Sequence, residues 1–187
     1  MGMKADHWIR RMAMEQRMID PFEPSQVRGT VISYGLSSYG YDIRLAGEFK
    51  TPASAIAGDV PLDPKNVAQD AFEHVGTKAF ELSAGSFVLG RTVEYFRIPS
   101  DVLTICVGKS SYARCGVLVN VTPFEPGWEG FATLCIANVG PRPVLLYAGE
   151  GIAQVVFLQG DEPCELSYAG KQGKYQAQKG IAPARLG

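Results

Sequence analysis

Phe131-Ala132-Thr133-Leu134-Cys135-Ile136-Ala137-Asn138 is an eight-residue run, apolar at most positions. It is followed by Val139-Gly140-Pro141-Arg142-Pro143 and then by Val144-Leu145-Leu146-Tyr147. Each apolar run is short and bounded by Gly and Pro, which reads as strand, turn, strand. The same grammar extends outward in both directions. Ile152 to Leu158 comes after Gly149 and Gly151, and Gly127 precedes the run. Upstream, Val117, Val119 and Val121 alternate with Leu118 and Asn120, Val102 to Val107 is apolar, and Phe87, Leu89, Arg91 and Val93 alternate. Many short strands with frequent turns predict an all-β sandwich or barrel.

The first half is less regular. Asp6 to Met18 has Ile9, Met12 and Ala13 at helical spacing, with Asp6 placed to cap it. Pro21 and Pro24 break the segment that follows. Val31-Ile32-Ser33-Tyr34-Gly35 opens the β-rich region, and Tyr41, Ile43 and Leu45 alternate with Asp42 and Arg44 as in a half-buried strand. Residues 51–76 have weak periodicity and read as long loops. Residues 170–187 are rich in Gly, Lys and Gln and read as a C-terminal arm. No repeat or linker interrupts the chain, so residues 1–187 form one predicted domain.

The 187 residues suffice for one sizeable core. A net charge of −1 with no basic stripe argues against duplex nucleic acid as a partner. No apolar run is long enough to span a bilayer, and the charged N-terminal stretch lacks the core of a signal peptide. The expected location is cytoplasmic, where Cys106, Cys115, Cys135 and Cys164 would be reduced core thiols.

Gly108-Lys109-Ser110-Ser111-Tyr112-Ala113-Arg114-Cys115-Gly116 concentrates two cations and two hydroxyls in one short predicted helix. Ser110 is a good N-cap, Gly116 can take the positive φ that ends a helix, and Ser110 and Arg114 share a face. Free N–H groups, hydroxyls and a lysine together suit a phosphate. Other chemistries are absent from the pattern. There is no P-loop and no Gly-x-Gly-x-x-Gly. The chain has only two histidines, His7 and His74, too few for a Ser-His-Asp triad to be expected. Pro163-Cys164 lacks the second cysteine of a zinc deaminase pair, and no His-x-Glu occurs, so no metal centre built from protein side chains is expected.

These motifs, taken in order, resemble the dCTP deaminases of the dCTP deaminase/dUTPase superfamily. The similarity runs through Asp6 to Met12, Ile32 to Asp42, Arg91 to Phe96, Lys109 to Gly116, Val121 to Gly130, Gly149 to Gln154, and Gly173-Lys174-Tyr175-Gln176-x-Gln178. The resemblance implies a distorted β-barrel or jelly-roll subunit with a short N-terminal helix and a flexible C-terminal arm. It implies a homotrimer with sites between subunits, dCTP as substrate, dUTP and ammonia as products, and Mg²⁺ carried in with the triphosphate. dTTP is a candidate inhibitory ligand. On this resemblance Lys109, Ser110, Ser111 and Arg114, with the intervening Tyr112 and Ala113, hold the nucleotide. Ser110 and Arg114 also position the base and the attacking water. Thr133, Leu134 and Cys135 line the base pocket, Gln154 contacts the nucleotide, Glu125 lies near the sugar, and Tyr168, Lys174 and Gln178 reach the triphosphate.

One position departs from the family pattern Thr-Leu-Glu-x-x-Asn. Cys135 stands where that pattern places the general acid/base glutamate. Deamination needs a group that takes a proton from water and returns protons to N3 and the departing amine, and a thiol with a resting pKa of about 8.5 suits that poorly. A positioned carboxylate is worth about 10²–10⁴ in rate. The expected activity is therefore that of a metal-centre-free nucleotide deaminase, a hydrolase of a cyclic amidine C–N bond, impaired at Cys135. The alternatives left open are a dUTP or modified-dNTP diphosphohydrolase using Glu125, and a non-catalytic nucleotide-binding homologue.

Overall fold

A computed structural model of the protein describes residues 2–53, 61–68 and 70–186. After a two-residue strand β1 (Gly2–Met3), helix α1 spans Asp6–Gln16 and buries Trp8, Ile9 and Ala13. Its cap is Ala5, one residue earlier than expected. Asp6 lies inside the first turn, where its carboxylate suits the helix dipole and accepts the His7 N–H at 2.8 Å. Strands β2 (Ile19–Asp20), β3 (Gln26–Val27), β4 (Tyr34–Ser37) and β5 (Gly40–Pro52) follow. Next come β6 (Phe72–Gly76), β7 (Ala79–Leu82), β8 (Phe87–Arg97) and β9 (Val102–Gly108). A short helix α2 (Ser110–Ala113) precedes β10 (Val117–Asn120), β11 (Glu129–Asn138), β12 (Val144–Tyr147) and β13 (Gly151–Gln159).

Strand β5 joins the two halves of the sheet. Its first part pairs with β4 and β13, and its second part with β6 and β8. From there the order runs β8–β11–β10 on one side, while β13 carries β9 and β1 on the other. The core between them is closed by Ile43, Leu45, Phe49, Phe96, Leu134, Ile136, Val155 and Phe157, all fully buried. β5 is more enclosed than a half-buried strand: Asp42, on the opposite face from Ile43, is only 2% exposed.

Three expectations change. The segment expected as long loops is partly strand, since β5 runs to Pro52 and β6 begins at Phe72; residues 54–60 and 69 lie outside the described ones. In β8 the apolar alternation Phe87, Leu89, Val93 falls on the half-exposed face, whereas Val88, Gly90, Thr92, Glu94 and Phe96 are buried. Gly90 has to be small, because a Cβ there would lie 2.8 Å from Leu45. Glu94 can be buried because Arg44 donates to its carboxylate from the backbone N–H at 3.0 Å and from Nε at 2.7 Å. Finally, Cys115 and Cys164 are exposed rather than core residues.

The C-terminal arm is docked on β11. The Trp128 indole N–H donates to the Tyr175 carbonyl at 2.9 Å, Phe131 N–H donates to the Gln178 carbonyl at 2.9 Å, and Ile181 is buried.

Candidate active site

Helix α2 is built much as its composition suggests, shifted by one residue. Lys109 occupies the cap, Ser110 is the first helical residue, and no side chain caps the helix. Gly116 closes the turn at φ 81°, and a Cβ there would lie 3.0 Å from the Gly140 backbone. Tyr112 is buried and anchors the helix by accepting the Tyr147 N–H at 3.0 Å; burial pushes its phenol up to about 12. Ser110, Ser111, Ala113 and Arg114 are exposed, and Arg114 donates back to the Ser110 carbonyl at 3.1 Å. Lys109 is held inward: its ammonium donates to Asp42 at 2.7 Å, and the Gln26 amide donates to the same carboxylate oxygen at 2.7 Å. Gln154 lies across from Asp42 in the sheet and donates to Ser37 Oγ at 2.9 Å.

A second assembly lies on the half-exposed face of β11. Residues alternate across that strand, so Phe131, Thr133, Cys135 and Ala137 face outward while Leu134 and Ile136 are fully buried in the core. The Leu134 side chain accordingly lies in the core and does not line the cavity over its two neighbours. A cavity of about 300 Å³ opens over Thr133 and Cys135. It is also lined by Leu89 of β8, Asn120 at the end of β10, the 121–125 segment, Trp128, the buried Ala132, and Tyr168, Tyr175, Gln178, Ala182 and Ala184 of the C-terminal segment. Gln178 donates to Thr133 Oγ1 and, at 2.8 Å, to the Phe131 carbonyl, and the Ala182 N–H donates to Thr133 Oγ1 at 3.1 Å. Tyr168 accepts the Tyr175 N–H at 3.1 Å.

The electrostatics of this cavity are one-sided. Among the described residues, Glu125 is its only charged lining residue, and it is ion-paired with Lys171. Cys135 is half-buried, and burial pushes its thiol above the ordinary value. It is therefore a neutral thiol near pH 7. Lys109, Ser110, Ser111, Tyr112, Ala113, Arg114, Gln154 and Lys174 do not line the cavity. Lys174 instead donates to the Arg185 carbonyl at 2.6 Å. The residues expected to share one site thus form two assemblies: a neutral-to-acidic cavity containing Glu125, Thr133, Cys135, Tyr168 and Gln178, and a hydroxyl- and cation-bearing helix start. Asn120, Leu89, Trp128 and Tyr175 were not foreseen as lining residues. Counting register back along β11 would have found Asn120, which pairs with Cys135.

Residues 3–160 match the dCTP deaminase-like family. The chain is 56% identical over 187 residues to a dCTP deaminase from Campylobacter lari, covering all of this chain and 99% of that protein. It is 55% identical over 186 residues to a dCTP deaminase from Acidobacterium capsulatum, covering the whole of both. Among solved structures, the 2'-deoxycytidine 5'-triphosphate deaminase of Agrobacterium tumefaciens superposes with a TM-score of 0.62 at 17% identity, covering 85% of this chain and 48% of that one. That last likeness concerns the fold, while the full-length identities concern the family. The chain belongs to the dCTP deaminase-like family.

Proposed function

We propose that this protein converts dCTP and water to dUTP and ammonia, slowly, in sites that form between the subunits of a homotrimer. The observation that carries the reading is the 56% identity to a dCTP deaminase along the entire chain. The division of the site residues supports the shared site. A triphosphate requires cations and N–H donors, and among the described residues the cavity at Cys135 is lined by neither Lys nor Arg. The Lys109–Arg114 segment contributes no residue to the lining of that cavity. In the proposed assembly, Ser110, Ser111 and Arg114 of one subunit face the cavity of the next. Mg²⁺ arrives with the triphosphate as part of the substrate.

The chemistry needs no resident metal in this reading. Water adds at C4, N3 and the amine gain protons, and ammonia leaves. Ser110 and Arg114 orient the base and the water. Cys135 occupies the place of the proton shuttle but is protonated and accepts a proton poorly, so turnover falls by about 10²–10⁴ relative to a carboxylate. Glu125 is engaged by Lys171, which disfavours a diphosphohydrolase that relies on it as a free base.

The test is incubation with dCTP and Mg²⁺, following ammonia and pyrophosphate together. Ammonia without pyrophosphate is the expected result. Pyrophosphate with a monophosphate would instead assign diphosphohydrolase activity, and tight nucleotide binding without product would assign a binding homologue.

A further inference from the structure

We infer that Asn120 is the side chain that reads the N3/C4-substituent edge of the pyrimidine, and that it holds cytosine and uracil alike. This role rests on the reading that the base occupies the cavity at Cys135. Leu89, Cys135 and Asn120 form one cross-strand row over β8, β11 and β10, because Cys135 pairs with Leu89 on one side and with Asn120 on the other. All three line the cavity. Leu89 offers no polar atom, and the Cys135 thiol is a weak donor and acceptor. Thr133 is already committed to Gln178 and Ala182. Gln178 is committed to Thr133 and Phe131. The Asn120 carboxamide makes no hydrogen bond among the described residues and is exposed at the end of an edge strand. Among the described residues Thr122 and Tyr175 also carry uncommitted hydroxyls in the lining, but Thr122 lies past the last paired residue of β10, Tyr175 lies on the C-terminal segment, and both are outside this row.

An amide presents one donor face and one acceptor face side by side. Cytosine offers an acceptor at N3 beside a donor at its 4-amino group, and uracil offers a donor at N3 beside an acceptor at O4. A half-turn of the carboxamide matches either pattern, as Asn does when it meets two adjacent groups on a base edge. Substrate and product are therefore held with similar strength. A base that lacks the 4-substituent satisfies only half of the amide, and an unmatched polar group is what makes a site discriminate.

The experiment measures binding of three Mg²⁺–triphosphates by calorimetry: dCTP, dUTP, and the deoxynucleoside triphosphate of 2-pyrimidinone, which has hydrogen at position 4. For the native protein we expect dCTP and dUTP within about threefold of each other, and both about tenfold tighter than the 2-pyrimidinone compound. In Asn120→Leu and Asn120→Ala, with circular dichroism unchanged, that tenfold preference should disappear. A preference that survives both substitutions would overturn the inference, as would its absence from the native protein. A native protein that binds none of the three triphosphates would overturn the deaminase reading itself, and the role of Asn120 with it.

Discussion

At the scale of single residues, the proposed slow deamination turns on Cys135, a half-buried thiol in the cavity lining. Its thiol has a raised pKa because its surroundings are desolvated, and no cation or base offsets the effect. The thiolate is the reactive form, so the sign is clear: raising the pKa lowers reactivity at neutral pH and moves the titration to higher pH. Alkylation of Cys135 by iodoacetamide, followed by peptide mass spectrometry, should still be accelerating above about pH 9; a plateau below about pH 8 would contradict the burial argument. Substitution Cys135→Glu should raise kcat for dCTP deamination by about 10²–10⁴, read from ammonia release. No gain would contradict the proposal that Cys135 limits turnover. The position of Cys135 was legible in the sequence because it interrupts a recognisable motif. The Leu134 side chain faces the core instead, because the period of two separates it from Thr133 and Cys135.

At the scale of elements, the phosphate-binding candidate α2 is short, and long-range contacts hold it in place. Lys109 and Asp42 are 67 residues apart in sequence, and both are largely buried. No local pattern announces such a pair, so Lys109 read from the sequence as a free cation. Removing one partner leaves the other charge buried and uncompensated. Asp42→Asn should therefore destabilise the fold by about 3–5 kcal/mol in urea denaturation. A loss under about 1 kcal/mol would mean that Lys109 swings out to solvent without cost. The C-terminal segment illustrates a different limit. Its Gly- and Gln-rich composition carries no hydrophobic period, yet backbone and side-chain hydrogen bonds to β11 order it, with Thr133 accepting two of them. Thr133→Val should speed amide hydrogen exchange at 177–182, and unchanged protection there would show that the hydroxyl does not hold the segment.

At the scale of the whole molecule, the strand grammar of residues 79–158 was enough to predict an all-β fold, because short apolar runs and Gly/Pro turns are local signals. Which face of β8 is buried was not legible, since that depends on Gly90 fitting beneath Leu45 and on Arg44 neutralising Glu94. Which of the expected site residues line the cavity was not legible, because spacing along a chain does not reveal which side chains the sheet register brings together. Among the described residues the cavity has no cation in its lining and the cation-bearing helix lines no part of it, and the proposed shared site brings the two together between subunits. Subunit complementation tests this most directly. Chains carrying Cys135→Glu together with Arg114→Ala would be co-assembled with native chains, and ammonia release from dCTP would be compared with that of each parent alone. The shared site predicts hybrid trimers at least about tenfold more active than either parent, since one interface then joins the new carboxylate to an intact Arg114. Activity no greater than the weighted sum of the parents would contradict it.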